Sequence, residues 1–240
     1  IIMRKIFLGL VAMVASSSAF ADATIDQLQN LGSQQQFRSL SEDLGSALSY
    51  KSLSPGDPLG VTGFDIGVEI TGTSIKNKEI LDLVTSGSAP SLLPVPKLHV
   101  HKGLGLFDIG GSYSAVPGSN IKLWGAEIRY ALLEGTVATP ALSLRGSFSQ
   151  LTGVDQLDFD TKGIDISVSK GFLIAKPYAG IGQVWVSSTP KGVPTLSSEK
   201  FTQTKVFAGV NLNFGLTNVA FEADRTGDAT SYGAKLGFRF

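Results

Sequence analysis

From Val61 to the last residue about ten segments of the chain each carry a face of alternate apolar residues. The final stretch shows it best: Tyr232, Ala234, Leu236, Phe238 and Phe240 interleave with Ser231, Gly233, Lys235, Gly237 and Arg239. Successive side chains of a β-strand point to opposite faces, so this pattern predicts a strand with one apolar and one polar side. In Val61–Gly72, Phe64, Ile66, Val68 and Ile70 likewise oppose Asp65, Gly67 and Glu69. Further strands are predicted at Pro96–Lys102, Gly105–Ala115, Ile121–Leu132, Ala141–Leu151, Lys162–Lys170, Pro177–Ser188, Phe201–Phe214, Asn218–Arg225 and Thr230–Phe240. The Pro177–Ser188 segment fits least well, because Ile181 and Trp185 share a parity with Gln183. About ten strands with short connections make an all-β, closed antiparallel barrel over residues 61–240. Residues 22–60 break the rule. There Phe37, Leu40, Leu44 and Leu48 recur every three or four residues, placing them on one face of a helix opposite Arg38, Glu42 and Asp43. Ser54-Pro-Gly-Asp-Pro58 then ends the helical segment. A helix-like piece, Lys76–Thr85, interrupts the connection 73–95.

The two ends of the chain add a destination. Arg4 and Lys5 precede an apolar run from Ile6 to Ala15 and the small-residue site Ala19-Phe20-Ala21. This predicts a signal peptide over residues 1–21 and a mature chain starting at Asp22. The run is about half the roughly 20 residues of a spanning helix. The last strand, ending on Phe240, resembles the C-terminal strand of bacterial outer-membrane β-barrels. That resemblance implies that Tyr232, Leu236, Phe238 and Phe240 serve as an insertion signal read by the barrel-insertion machinery. It implies export through the periplasm into the outer membrane, with outer-membrane lipid and lipopolysaccharide as surroundings. More distantly, the chain is similar to small barrels that carry a helical segment before the first strand.

Alternation alone does not say which face points outward; a secreted soluble barrel would bury the apolar side. The composition of the polar face helps decide, together with the export signal and the terminal Phe240. That face carries Ser143, Arg145, Ser147 and Ser149, then Asp165, Ser167 and Ser169, then Lys205, Gly209, Asn211 and Asn213. Water-facing surfaces carry about 25–35% charged residues, and a face dominated by Ser, Gly and Asn suits a crowded lumen. Aromatics fall near strand ends, with Tyr113, Trp124, Tyr130 and Tyr178 predicted as an interfacial girdle together with Phe214, Tyr232 and Phe240. Lys102 and Lys122 share the lipid-facing parity but sit beside strand ends. The longer connections 73–95, 152–161 and 189–200 are expected on the cell exterior.

Composition narrows the chemistry. The 240 residues hold 20 Lys+Arg, 20 Asp+Glu and no cysteine, giving zero formal charge. That balance offers no attraction for nucleic acid, and thiol chemistry is excluded. Inward-facing charges are predicted to be Asp65, Glu69, Asp108, Glu127, Arg129, Arg145, Asp165, Lys205, Glu222, Asp224, Lys235 and Arg239, joined by His99 and His101. Mixed signs on neighbouring strands fit either a selective constriction for a small solute or a set of ion pairs filling a narrow barrel. His99 and His101, two apart, point the same way and offer either metal ligands or a general base. With no identifiable nucleophile beside them, ordinary lumen residues are expected, and no cofactor, metal or catalytic residue is assigned. Asp155, Asp158 and Asp160, placed on an exterior loop, lack the spacing of a Ca²⁺ loop. The pairs Gly103/Gly105 and Gly180/Gly182 read as turns and barrel bends, since neither opens a helix with nucleotide-loop spacing. The leading expectation is a non-enzymatic, narrow passive channel or transporter. A closed structural or surface-interaction barrel comes second, and a lipid-modifying enzyme using His99 or His101 third. The helical segment is expected either to enter the barrel as a plug or to lie at the periplasmic rim.

Overall fold

In the computed structural model, which describes residues 24–85, 89–116, 119–136 and 138–240, each strand pairs with its sequence neighbour and the last returns to the first. The strands are β1 Phe64–Ser74, β2 Leu92–Leu104, β3 Phe107–Ala115, β4 Lys122–Leu133, β5 Ala141–Thr152, β6 Leu157–Ser169, β7 Ala175–Pro190, β8 Glu199–Phe214, β9 Thr217–Thr226 and β10 Ala229–Arg239. All pairings are antiparallel, and β1 closes on β10 in a register that sets Val68 opposite Leu236 and Glu69 opposite Lys235. Two helices accompany the barrel among the described residues, α1 (Gln34–Leu48) and α2 (Lys78–Val84). The signal peptide expected over residues 1–21 lies outside the described residues.

Several boundaries differ from the pattern reading, each for a local reason. β2 begins at Leu92, because Pro94 and Pro96 keep their places opposite Gly72 and Ile70. β6 begins at Leu157, so Asp158 and Asp160 are strand residues rather than members of an exterior loop. Paired with Thr189 and Ser187 of β7, they extend the sheet instead of gathering around a cation.

Outward-facing positions form an apolar belt. Ile66, Val68, Leu98, Val100, Ile109, Ile128, Ile164, Ile166, Val206 and Phe221 are all exposed, while Asp65, Glu69, Glu127, Asp165 and Glu222 on the opposite faces are buried. Such exposure of contiguous aliphatic surface is unfavourable in water and favourable in hydrocarbon, so the barrel spans a membrane. No described helix is long and apolar enough to cross one. Trp124 and Tyr113 pair across β3–β4 near the end that carries the longer loops, and Phe107 and Tyr130 near the end with tight turns. Lys162, Gln183 and Thr204 mark where the outer face of β6–β8 turns polar, with Gln183 Nε2 donating to Thr204 Oγ1 at 3.2 Å. β7 and β8 have 16 residues each, against about 9–11 for a spanning strand, so they project beyond the belt.

Tyr178 is the exception among the expected girdle residues. It lies inside, 4% exposed, donating its hydroxyl to Glu222 at 2.9 Å. In β7 the inward parity runs through Gly180 and Gly182, whose missing side chains hid the alternation from the sequence.

Candidate functional site: a chain threaded through the lumen

The inward faces enclose the segment that precedes β1. Residues 24–63 enter at the long-loop end, run the length of the barrel and leave at the short-turn end to begin β1. At the entrance Ile25 bridges Thr85, its N–H donating to Asn120 Oδ1 at 3.2 Å, and the Leu28 N–H donates to Gln156 Oε1 at 2.8 Å. At the exit the Leu59 N–H donates to Asp108 Oδ1 at 3.1 Å, and the Phe64 N–H to the Phe240 carbonyl at 2.7 Å.

The upper half of the lumen is apolar and holds α1. Ser33 caps the helix, its Oγ accepting from the Gln36 N–H. Phe37, Leu40, Leu44, Ala47 and Leu48 form its buried stripe and pack with Leu93, Val95, Leu123, Phe159, Val184 and Val186 of the wall. Gly45 sits where α1 comes closest: a Cβ there would meet Gln203 Oε1 at 2.6 Å and Val186 Cγ2 at 2.8 Å. Polar anchors fix the depth. Ser41 and Ser188 hydroxyls lie 2.8 Å apart, Ser46 Oγ donates to the Thr226 carbonyl at 2.7 Å, and buried Asp43 accepts the Asn77 N–H at 2.8 Å.

The lower half is charged, and residues 49–59 run through it extended. Asp65 accepts from Lys235 Nζ at 3.0 Å and stands 3.2 Å from His99 Nε2. Glu69 lies 2.6 Å from Lys97 Nζ and 2.9 Å from His99 Nδ1, the latter an ion-pair distance without hydrogen-bond alignment. Glu127 lies 3.2 Å from His101 Nε2 and 3.6 Å from Arg145, whose other nitrogen reaches Asp165 at 2.9 Å. Asp108 holds Arg129 through Nε at 3.1 Å. Three lumen cations also serve the threaded segment. Lys205 Nζ donates to the Tyr50 carbonyl at 2.8 Å, Arg129 Nη1 to the Pro55 carbonyl at 2.5 Å, and Lys97 Nζ to the Lys51 carbonyl. The wall is shaped to the same chain. A Cβ on Gly125 would meet the Tyr50 ring at 2.7 Å, one on Gly233 would meet Leu53 Cδ2 at 2.8 Å, and one on Gly103 would collide with the Gly60 carbonyl.

All the charged residues assigned to the lumen from sequence point inward, and Arg239 reaches Asp57 at 3.2 Å at the lower mouth. Asp65, His99 and His101 bring one ligand atom each within 4.8 Å of one another and are the group among the described residues that could hold a metal. Both nitrogens of His99 face carboxylates and Lys235 occupies Asp65, so the present arrangement is that of a buried charge network. The outward insertion-signal residues Tyr232, Phe238 and Phe240 are exposed, whereas Leu236, between Val68 and Val219, is only 9% exposed. Sequence reasoning missed Lys97, Tyr50, Lys51, Asp57 and Phe207. Phe207 shares the inward parity of Lys205, and its ring lies 5.2 Å from Lys205 Nζ and 5.4 Å from Arg145 Cζ.

A latch closes the lower mouth: Asp57 Oδ2 is 2.6 Å from Lys176 Nζ and 3.2 Å from Arg239. Against the desolvation that burial imposes, Arg239 and Lys176 hold the Asp57 carboxyl below its ordinary value of 3.8. A depressed carboxylate stabilises the folded form above its ordinary range, and that contribution is lost as pH falls through the folded value. Protection of the residue 56–60 amides, taken relative to the unstructured chain at the same pH, is therefore expected to hold from neutrality to about pH 4 and to fall below it. The variant Asp57→Asn should show low protection throughout; equal, high protection in both proteins at every pH would remove the latch.

No protein-family model and no curated protein matches this chain. Among solved structures it is similar to an OmpT loop-deletion mutant, an outer membrane protein of Vibrio cholerae (14% identity, 61% of this chain and 54% of that one, TM-score 0.31). It spans only about half the length of that structure. It is also similar to Ail, the attachment invasion locus protein of Yersinia pestis (13%, 74% and 97%, TM-score 0.30), and to the KdgM porin (8%, 75% and 99%, TM-score 0.37). With each of these TM-scores below 0.5, the barrel assignment stands on the strand pairing of this chain itself.

Proposed function

We propose that the protein is a sealed β-barrel of the bacterial outer membrane, a structural or surface-interaction barrel that works through its ends rather than by conducting through its lumen. The observation that carries this reading is that Lys97, Arg129 and Lys205 donate to backbone carbonyls of residues 50–55. Withdrawal of the segment would strip three buried cations of those partners. It would also expose the apolar face of α1. Phe37, Leu40, Leu44 and Leu48 are each no more than 1% exposed, and at about 1.5–3 kcal/mol per side chain their burial is worth roughly 6–12 kcal/mol. A gap of about 5.5 kcal/mol already corresponds to a ratio near 10⁴, so spontaneous opening is rare. A narrow passive channel for small solutes is thereby less well supported than the sealed form. Burial weighs against the enzymatic reading too, since His99 and His101 are both 2% exposed beneath the segment.

Planar-bilayer recording tests this directly. The intact protein is expected to give no stepwise current. A variant lacking residues 24–58, or one carrying Phe37→Asp with Leu44→Asp if the deletion fails to assemble, should conduct. Discrete steps from the intact protein would restore the channel reading.

A further inference from the structure

Between the β4–β5 and β6–β7 turns, at the short-turn end, lies an open cleft of about 610 Å³ whose floor is the tail of the threaded segment. Asp57 and Pro58 form that floor, with Ser169, Leu173 and Lys176 at its sides. From these residues we infer that the cleft binds a neutral, polyhydroxylated ligand of mono- to disaccharide size. The volume lies within the range of small-molecule sites, about 300–1,000 Å³.

Four features define the chemistry. Ser169 is 3% exposed, yet its Oγ has no hydrogen-bond partner among the described residues. Asp57 Oδ1 is likewise buried without one, while Oδ2 serves both Lys176 and Arg239. A buried polar atom without a partner carries a desolvation penalty that an incoming donor would remove. The sign of the local charge then selects the donor. Asp57 already faces two cations, so a cationic ligand gains little from it, and the cleft's other carboxylate, Glu134, is exposed and screened by water, whereas a hydroxyl can donate to the free Asp57 oxygen and exchange hydrogen bonds with Ser169. Leu173 supplies an apolar wall for the C–H face of a sugar ring. It is fully exposed and holds φ at +49°, a left-handed conformation that costs a leucine energy and that Gly would adopt freely. The inference holds whether or not the lumen ever conducts, but it requires the segment to be docked, because Asp57 and Pro58 belong to it.

Titration of purified protein in a non-glycosidic detergent with maltose, N,N′-diacetylchitobiose and cadaverine, followed by saturation-transfer NMR, tests the assignment. At least one disaccharide is expected to bind saturably in the millimolar range. Ser169→Ala should weaken it about three- to tenfold, the loss of one neutral hydrogen bond. Thr139→Trp, which fills the cleft from an exposed rim position, should abolish binding without changing the melting temperature. The assignment is overturned if neither disaccharide binds at tens of millimolar, if cadaverine binds in their place, or if Thr139→Trp leaves binding intact.

Discussion

Replacing Arg145 by alanine is expected to destabilise the barrel by about 3–5 kcal/mol, the cost of leaving a buried charge without its partner. Arg145 is 5% exposed and is shared between Asp165, at 2.9 Å and 3.0 Å, and Glu127, at 3.6 Å. Its removal leaves two buried carboxylates, Glu127 and Asp165, without the cation they share. Removing Asp165 as well should return part of that loss, because the second substitution takes away one of the stranded anions. Reversible unfolding in detergent, with both variants and the parent compared at one pH, measures it. A loss below about 1 kcal/mol for Arg145→Ala would mean that the network is solvated like a surface ion pair and that the lumen is not filled.

Phe37→Ala is the second large effect. Phe37 is fully buried at the N-terminal end of the α1 stripe, and truncating a core phenylalanine costs about 3–5 kcal/mol. Most of that loss should appear in docking of the segment rather than in closure of the sheet, because the strands keep their hydrogen-bonded neighbours when α1 leaves. The expected signature is faster amide exchange throughout residues 34–48 with near-parental protection of β1 and β10. Uniform loss of protection across strands and helix together would show instead that plug and wall form one cooperative unit.

The outward and inward faces were legible because period-2 alternation needs no tertiary information: Ile66, Val68, Asp65 and Glu69 fall on the sides their parity dictates. The helix over Phe37–Leu48 was legible for the same reason at period 3.6. Its destination was not. An apolar stripe requires a partner but does not name one, and the matching apolar layer is scattered over Leu93, Leu123, Phe159 and Val184 on four strands. Tyr178 and Phe207 were misplaced or overlooked because a large aromatic inside a polar lumen contradicts the parity rule locally. Both fit only because Gly180 and Gly209 lie beneath them. Lys97 was passed over directly after Pro94 and Pro96, and Tyr50, Lys51 and Asp57 fall in a stretch with no periodicity at all, so only the fold could bring them to His101, Asp224 and Lys176.

Cross-linking settles whether the segment lies where the geometry puts it. The chain contains no cysteine, and the Ser41 and Ser188 hydroxyls are 2.8 Å apart, within reach of a disulfide between their Cβ atoms. The double variant Ser41→Cys, Ser188→Cys, oxidised in intact membranes, is expected to form the intramolecular bond in nearly every molecule and to resist a bulky maleimide. If both thiols stay free and take up the reagent, residues 24–63 are not threaded through the barrel.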